Sequence, residues 1–391
     1  MTRIDGTVAS GFESVRDAFE AAFERQPDMG AALAVRHHGV QVVDLWGSVA
    51  DERSRRAWQG DTPSVVFSCT KGLVSILAAR LVQEGRLDYD APVAEYWPEF
   101  AQTGKEAVLV RHLLSHRSGV SAPRELLTTE QILDWEFVTA RLAAQEPLWQ
   151  PGTGYAYHAI THGWLAGEVI RRITGRTVGE HFAETVARPL GVEAWIGMPA
   201  AELDRVAHMQ VGSSLAELTR VQAAARTPGV VDWSERAMTL GGALAPELIG
   251  PAEDEGFNSP AVQQAEIPGA GGIATARALA AIWSATFTET DGIRLLDDAT
   301  LDLATSLQSE GPPVWDVPGP WPRWGVGLQL DSEARRYLTA SGYGHDGAGG
   351  QSAFADPASG IGFAFITNRM EAIDDVRATR VIDALRASLG A

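Results

Sequence analysis

The run Phe67-Ser68-Cys69-Thr70-Lys71-Gly72 sets a serine and a lysine three residues apart, where an apolar stretch from Ser64 to Phe67 hands over to a helical pattern. Residues three apart share one helical face, so the Ser68 hydroxyl and the Lys71 amine can lie side by side at a helix N-terminus. A neutral lysine there can take the serine proton, and the positive helix end favours an alkoxide over an ammonium. The plain alternative is an N-capping serine followed by a surface lysine. Lysine usage bears on the choice: Lys71 and Lys105 are the only two lysines, against 30 arginines. Guanidinium stays charged at any working pH, whereas a desolvated ammonium can lose its proton, so a lysine kept in such a chain is a candidate for proton transfer.

Two other segments carry candidate chemistry. In Pro151-Gly-Thr-Gly-Tyr155-Ala-Tyr157-His158-Ala159, a tyrosine at a loop-to-helix junction can present its hydroxyl to a pocket. Beside a lysine ammonium its pKa should fall, which makes Tyr157 a usable base, with Tyr155 as the alternative. A half-buried tyrosine with a satisfied hydroxyl is the ordinary reading of either residue. In Gly342-Tyr-Gly-His345-Asp-Gly347-Ala348-Gly-Gly350, a glycine-dense turn before a strand lets a ligand approach the backbone and offers an N–H to an oxyanion. A plain hairpin turn would look the same. The pairs His112/His116 and His158/His162 have i, i+4 spacing but lack the H-E-x-x-H glutamate, so no metal is expected. Pro268 to Arg277 is glycine-rich without a P-loop lysine and is expected to shape a loop near the site.

Several elements must position these groups. Phe12, Val15, Phe19 and Phe23 form one stripe of a helix over about 11–25. Two β-rich runs between Ala31 and Val49 meet at His38-Gly39, a hairpin turn. A helix runs from Ser68 to Glu84 and stops at Gly85. Helical patterns follow over about 108–115, 129–145, 158–174 and 178–187, then strands over about 325–331, 336–341, 351–355 and 361–368, and a last helix over about 372–388. Strands at both ends with helices between them predict an α+β fold. Its sheet unit is built from 1–85 and 266–391, with a mostly helical insertion at 86–265.

Composition narrows the function. Of 391 residues, 45% are hydrophobic and 21% charged, as in an ordinary globular chain. Lys+Arg is 32 and Asp+Glu 50, a net charge of −18 that repels phosphate backbones, so nucleic acid is not an expected partner. No apolar run spans a bilayer and no signal-peptide core precedes Glu13, so the expected location is the cytoplasm, away from membranes. The single cysteine, Cys69, excludes an internal disulfide; helix geometry turns it off the Ser68–Lys71 face and into the core. Composition leaves monomer and homo-oligomer both open.

Taken together, these segments resemble the serine β-lactamase-like hydrolases and, within them, the family VIII carboxylesterases, relatives of class C β-lactamases. Ser68-Cys-Thr-Lys71 is similar to the S-x-x-K nucleophile box. Val110-Arg-His-Leu-Leu-Ser-His-Arg-Ser-Gly119 is similar to the family's RHLLSHTSG segment, and Pro151-Gly-Thr, Tyr157 and Gly167 to Gly175 to its PGT…YSN box and following helix. Asn258-Ser-Pro, Ile267-Pro, Gly272 and Thr275-Ala-Arg277 resemble the segment before the last strands, and Gly344 to Gly350 stands in the place of the K-T-G strand.

The resemblance implies an antiparallel sheet flanked by helices, with a mostly helical region beside it. It also implies two-step cleavage of a small-molecule carboxylic ester through a Ser68 acyl-enzyme. Lys71 and Tyr157 would share the proton work, with oxyanion donors at the Ser68 and Ala348 backbone, and Gly347, His345 and Tyr155 at the substrate. No cofactor or metal is implied. His158-Ala159 replaces the asparagine box and His345 the K-T-G lysine, which counts against an efficient β-lactamase or peptidoglycan carboxypeptidase. An acyltransferase with the same triad, an amide or β-lactam hydrolase of β-lactamase or D-aminopeptidase type, and a silent scaffold are the competing readings.

Overall fold

The computed structural model describes residues 3–24, 26, 28–245, 254–372 and 375–390. Its central element is an eight-stranded antiparallel sheet that both ends of the chain build. The order across the sheet is Ile4–Val8, Val40–Gly47, Ala31–His37, Ile361–Thr367, Gln351–Asp356, Tyr343–Gly347, Gln329–Leu330 and Arg323–Trp324. The two halves of the chain join where Ala31 to His37 pairs with Thr367 to Ile361. The hairpin at His38-Gly39 forms as expected, with positive φ at both residues (49° and 81°), which matches the twist of the flanking strands.

Alternation along the central strands gives the sheet two unlike faces. Leu33, Val35, Phe354, Phe363 and Phe365 point to one side and pack on the helices Glu13–Ala21 and Arg377–Ser388. The expected stripe Phe12, Val15, Phe19 and Phe23 is buried there. Ala32, Ala34, Ala353, Ala355 and Ala364 point to the other side. This bare face lets the helix Ala276–Ala285 press close; a Cβ at Gly362 would stand 2.5 Å from the Ala280 carbonyl oxygen.

The helix Cys69–Gln83 runs through the core, between the sheet and the helices of the middle region. Twelve of its residues are buried, so it is apolar all round rather than striped, as a helix covered on every side must be. A small second sheet leads into it: Ser64–Phe67 pairs with Gly272–Ala274, which pairs with Ala194–Ile196. The helix Thr161–Thr174 lies across from it. No helix among the described residues is long and apolar enough to cross a membrane.

Three expectations shift. The pattern over 129–145 is two helices, Thr129–Ile132 and Trp135–Ala144, because Asp134 caps a new N-terminus with a bond from Phe137 N. Residues 336–341 form no strand. Asp331 accepts from Tyr337 N and Asp356 from Thr339 N, and these carboxylates bend the backbone into a loop. The strand falls instead on Tyr343–Gly347, within the segment read as a glycine-dense turn. Its glycines serve close strand approach: a Cβ on Gly344 would overlap the Ala353 carbonyl. The first helix's expected end at 25 lies outside the described residues, and the last helix, expected from about 372, begins at Arg377.

One contact of the fold bears on chemistry. The start of helix Thr161–Thr174 touches the Pro268–Gly269 loop backbone to backbone; a Cβ on Gly163 would overlap Gly269 N, and one on Gly269 would overlap the Ile160 carbonyl. Gly163→Ala should therefore destabilise the protein by about 1–3 kcal/mol through overpacking, read as a lower urea midpoint. An unchanged midpoint would show that these backbones separate freely.

Candidate active site

The strand Ser64–Phe67 ends in a left-handed turn. Phe67 has φ of +45°, a conformation that strains a residue with a side chain. Its ring is held edge-on against Phe257, with centroids 5.0 Å apart, so packing maintains the turn. The turn sets Ser68 at the N-cap of the helix Cys69–Gln83. The Ser68 side chain makes no capping bond there, and Lys71 is fully buried. The ordinary reading, a capping serine with a surface lysine, therefore describes neither residue.

Lys71 Nζ has three polar neighbours: Ser68 Oγ at 2.9 Å, the Ala159 carbonyl oxygen at 2.5 Å and the Gly269 carbonyl oxygen at 2.7 Å. No carboxylate is among its partners. Burial holds its pKa well below the usual lysine value, because its neutral partners repay only part of the loss of hydration. A neutral amine has two hydrogens and one lone pair. Carbonyl oxygens can only accept, so they take both hydrogens, and the lone pair is left facing the Ser68 hydroxyl.

The Tyr157 side chain neighbours Ser68, and Lys71 Nζ lies 4.9 Å from its ring centroid. Trp324 stacks on the ring at 5.4 Å and 14°, and His116 meets it edge-on at 4.9 Å. The expected fall in the Tyr157 pKa does not occur. Burial raises it above the ordinary tyrosine value, the nearby Ser68 hydroxyl only partly offsets this, and the neighbouring lysine does not favour its ammonium form. Tyr157 is therefore a phenol that keeps its proton.

Histidines pack behind these groups. His158 Nδ1 faces the Ala156 carbonyl at 2.6 Å, so Nδ1 carries the proton and Nε2 accepts from Ser118 Oγ at 2.7 Å. Its backbone N–H donates to His116 Nδ1 at 3.2 Å. His116 has φ of +66°, a strained backbone that aims its ring at Tyr157 and Trp324. Burial keeps all these rings neutral and lowers the His158 pKa to about 4. His345 is buried beside Tyr157 and Trp324, and burial and the nearby Lys71 lower its pKa to about 3. Cys69 is buried, donates to the His345 carbonyl at 3.1 Å and has its thiol pKa pushed up by burial.

The strand Tyr343–Gly347 lies against the approach to Ser68: a Cβ on Gly347 would overlap the Val66 carbonyl, which leaves Ala348 as the next backbone group. Thus Ser68, Lys71, Tyr157 and His345 come together, with Gly347 packed on the strand that leads to Ser68. Tyr155 does not join them. Its hydroxyl donates to the Gly311 carbonyl, and its own carbonyl accepts from Val314 N at 2.8 Å, so it latches the segment that leads to Trp324. Sequence reasoning missed the two carbonyl acceptors at Ala159 and Gly269, and saw His116 only as half of a poor metal pair. Among the described residues no group of three His, Cys, Asp or Glu is placed to hold a metal ion.

A family model described as Beta-lactamase matches residues 17–387. The Esterase/beta-lactamase LipL of Mycobacterium tuberculosis is 34% identical over 378 residues, covering 94% of this chain and 83% of that protein. The crystal structure of a family VIII carboxylesterase matches with a TM-score of 0.87 at 34% identity, covering 99% of this chain and 100% of the other. A penicillin-binding protein homolog from Caulobacter crescentus matches with a TM-score of 0.86 at 36% identity, over 99% and 100% of the two chains.

The two tyrosines can be told apart directly. Tyr155→Phe should cost about 1 kcal/mol of stability for one lost hydrogen bond and leave ester turnover within about threefold of wild type. A loss of about 100-fold, the size of a missing acid or base, would return Tyr155 to the catalytic set.

Proposed function

We propose that Ser68, Lys71 and Tyr157 form the catalytic machinery of this chain, which belongs to the beta-lactamase family and is a serine ester hydrolase of carboxylesterase type. The observation that carries the assignment is Lys71 Nζ 2.9 Å from Ser68 Oγ, buried with two carbonyl acceptors for its hydrogens. In acylation the Ser68 proton passes to Lys71 as Oγ bonds to the ester carbonyl carbon. The resulting oxyanion is held by the backbone N–H groups of Ser68 and Ala348 and by the positive end of the helix Cys69–Gln83. As the carbon–oxygen bond to the alcohol breaks, the Tyr157 hydroxyl gives its proton to the departing alkoxide and recovers one from the Lys71 ammonium. Water then attacks the acyl-enzyme by the same groups in reverse. Tyr157 is thus a proton donor and relay, and Lys71 is the base.

The substrate is a small-molecule ester. The position similar to the family's K-T-G lysine holds His345, an uncharged ring, and supplies no cation for a substrate carboxylate. This favours esters over β-lactams and peptides. The same reading divides the chain into a sheet unit, 1–85 and 266–391, and a helical insertion, 86–265. The Lys71 cage then takes one carbonyl from each: Gly269 from the first and Ala159 from the second.

Hydrolysis of p-nitrophenyl acetate and butyrate tests the assignment, with nitrocefin alongside. Ser68→Ala should lose on the order of 1000-fold or more, as removal of a nucleophile does, and Tyr157→Phe on the order of 100- to 10,000-fold. Full ester turnover in Ser68→Ala would overturn the nucleophile, and strong nitrocefin turnover would make the chain a β-lactamase. The pH profile of kcat/KM tests the base. Only neutral Lys71 accepts the proton, and its pKa is lowered, so activity should persist below the usual lysine range and fall as pH drops through the lowered value. On the alkaline side the raised Tyr157 pKa predicts no loss up to about pH 10, where an ordinary tyrosine ionises. An acid limb unchanged in Lys71→Arg, whose guanidinium stays charged, would refute the role of Lys71.

A further inference from the structure

His345 carries a lone pair that nothing among the described residues fills. Its Nδ1 lies 2.7 Å from the Asp346 carbonyl oxygen, and a carbonyl only accepts, so Nδ1 holds the ring's proton. In a neutral ring Nε2 is then an acceptor. It is buried and has no hydrogen-bond partner. Lys71 does not supply one, because as a neutral amine it spends both hydrogens on the Ala159 and Gly269 carbonyls. The ring is fixed in place: Cys69 holds the His345 carbonyl, a Cβ on Gly72 would stand 3.6 Å from His345 Cβ, and the Tyr157 and Trp324 rings lie 6.1 and 5.4 Å away. A buried acceptor kept without a donor calls for an external one.

The reaction supplies an O–H donor in its second half. We propose that His345 Nε2 is the second acceptor for the deacylating water and that it selects water over alcohols as the acyl-enzyme's nucleophile. This rests on the Ser68 acyl-enzyme reading above. Water has two hydrogens, one for the base and one for His345. An alcohol has a single hydrogen, which the base requires, so it gains nothing from His345. In the step, the water oxygen bonds to the acyl carbonyl carbon and one water proton passes to Lys71 through the Tyr157 hydroxyl. The other stays on the oxygen that becomes the acid hydroxyl, held by Nε2. The bond from carbon to Ser68 Oγ breaks, and Oγ takes the proton back from Lys71. His345 orients and does not itself gain a proton.

The test follows p-nitrophenyl butyrate in stopped flow and by product analysis, with and without methanol, for wild type, His345→Phe, His345→Asn and His345→Gln. In His345→Phe, the p-nitrophenol burst should stay within about threefold of wild type. Hydrolytic deacylation should fall about tenfold, the upper range for one lost hydrogen bond, and the ratio of methyl butyrate to butyrate should rise about tenfold. His345→Asn, whose amide is too short to reach the Nε2 position, should behave like Phe; His345→Gln, which reaches it, should restore the ratio to within about threefold of wild type. An unchanged product ratio in folded Phe and Asn variants overturns the proposal. So does a parallel loss of burst and deacylation in all three variants, the signature of a structural role. A wild-type enzyme that shows no butyryl mass on Ser68 overturns the acyl-enzyme reading itself and is seen before any His345 variant is compared.

Discussion

The site depends on a lysine buried without a counter-charge. Taking an ammonium out of water is costly, and a carboxylate partner would have repaid that cost and kept Lys71 protonated. Two carbonyl oxygens repay less. They satisfy the hydrogens of an amine and hold it in one orientation while leaving it free to be a base. Those carbonyls come from Ala159 and Gly269, which are far apart in sequence. They meet only because Gly163 and Gly269 let the start of a helix and a loop touch through their backbones.

Lys105 shows what this arrangement is not. It too is buried among acceptors: the Gln102 carbonyl, the Thr103 hydroxyl and the Gln145 carbonyl. Its pKa is lowered only to about 8, with Glu106 and Glu146 near enough to favour the charge. It ties the loop around Thr103 to the segment at Gln145, and its one hydroxyl neighbour is itself bound to backbone carbonyls. Scarcity of lysine therefore marks both residues, and only the neighbours separate the proposed base from a structural cation.

The aromatic packing around Tyr157 follows from the same need to work out of water. A phenol that must keep its proton and still reach Ser68 has to be desolvated and held still. Trp324 covers one face, and His116 and His345 close around it. Each imidazole is kept neutral by burial, so none adds a positive charge beside Lys71. His158 locks the segment that carries both Tyr157 and the Ala159 carbonyl by bonding to Ser118 and Ala156. Tyr155 locks the segment before Trp324 in the same way.

Local pattern alone determined a good deal of this protein: the i, i+3 serine and lysine at a strand-to-helix step, the hairpin at His38-Gly39, the apolar stripe from Phe12 to Phe23, and the acidic balance of the chain. These are short-range features, set by helix period, turn chemistry and composition. Tertiary structure decided the rest. The strand at Tyr343–Gly347 was hidden by glycines that serve close approach to Ala353 rather than a turn, and the loop at 337–339 by two distant carboxylates. The direction of the Tyr157 pKa reversed because burial outweighs a neighbour that does not hold its charge. A proton's free energy on a buried group depends on every atom around it, and those atoms come from parts of the chain that only folding brings together.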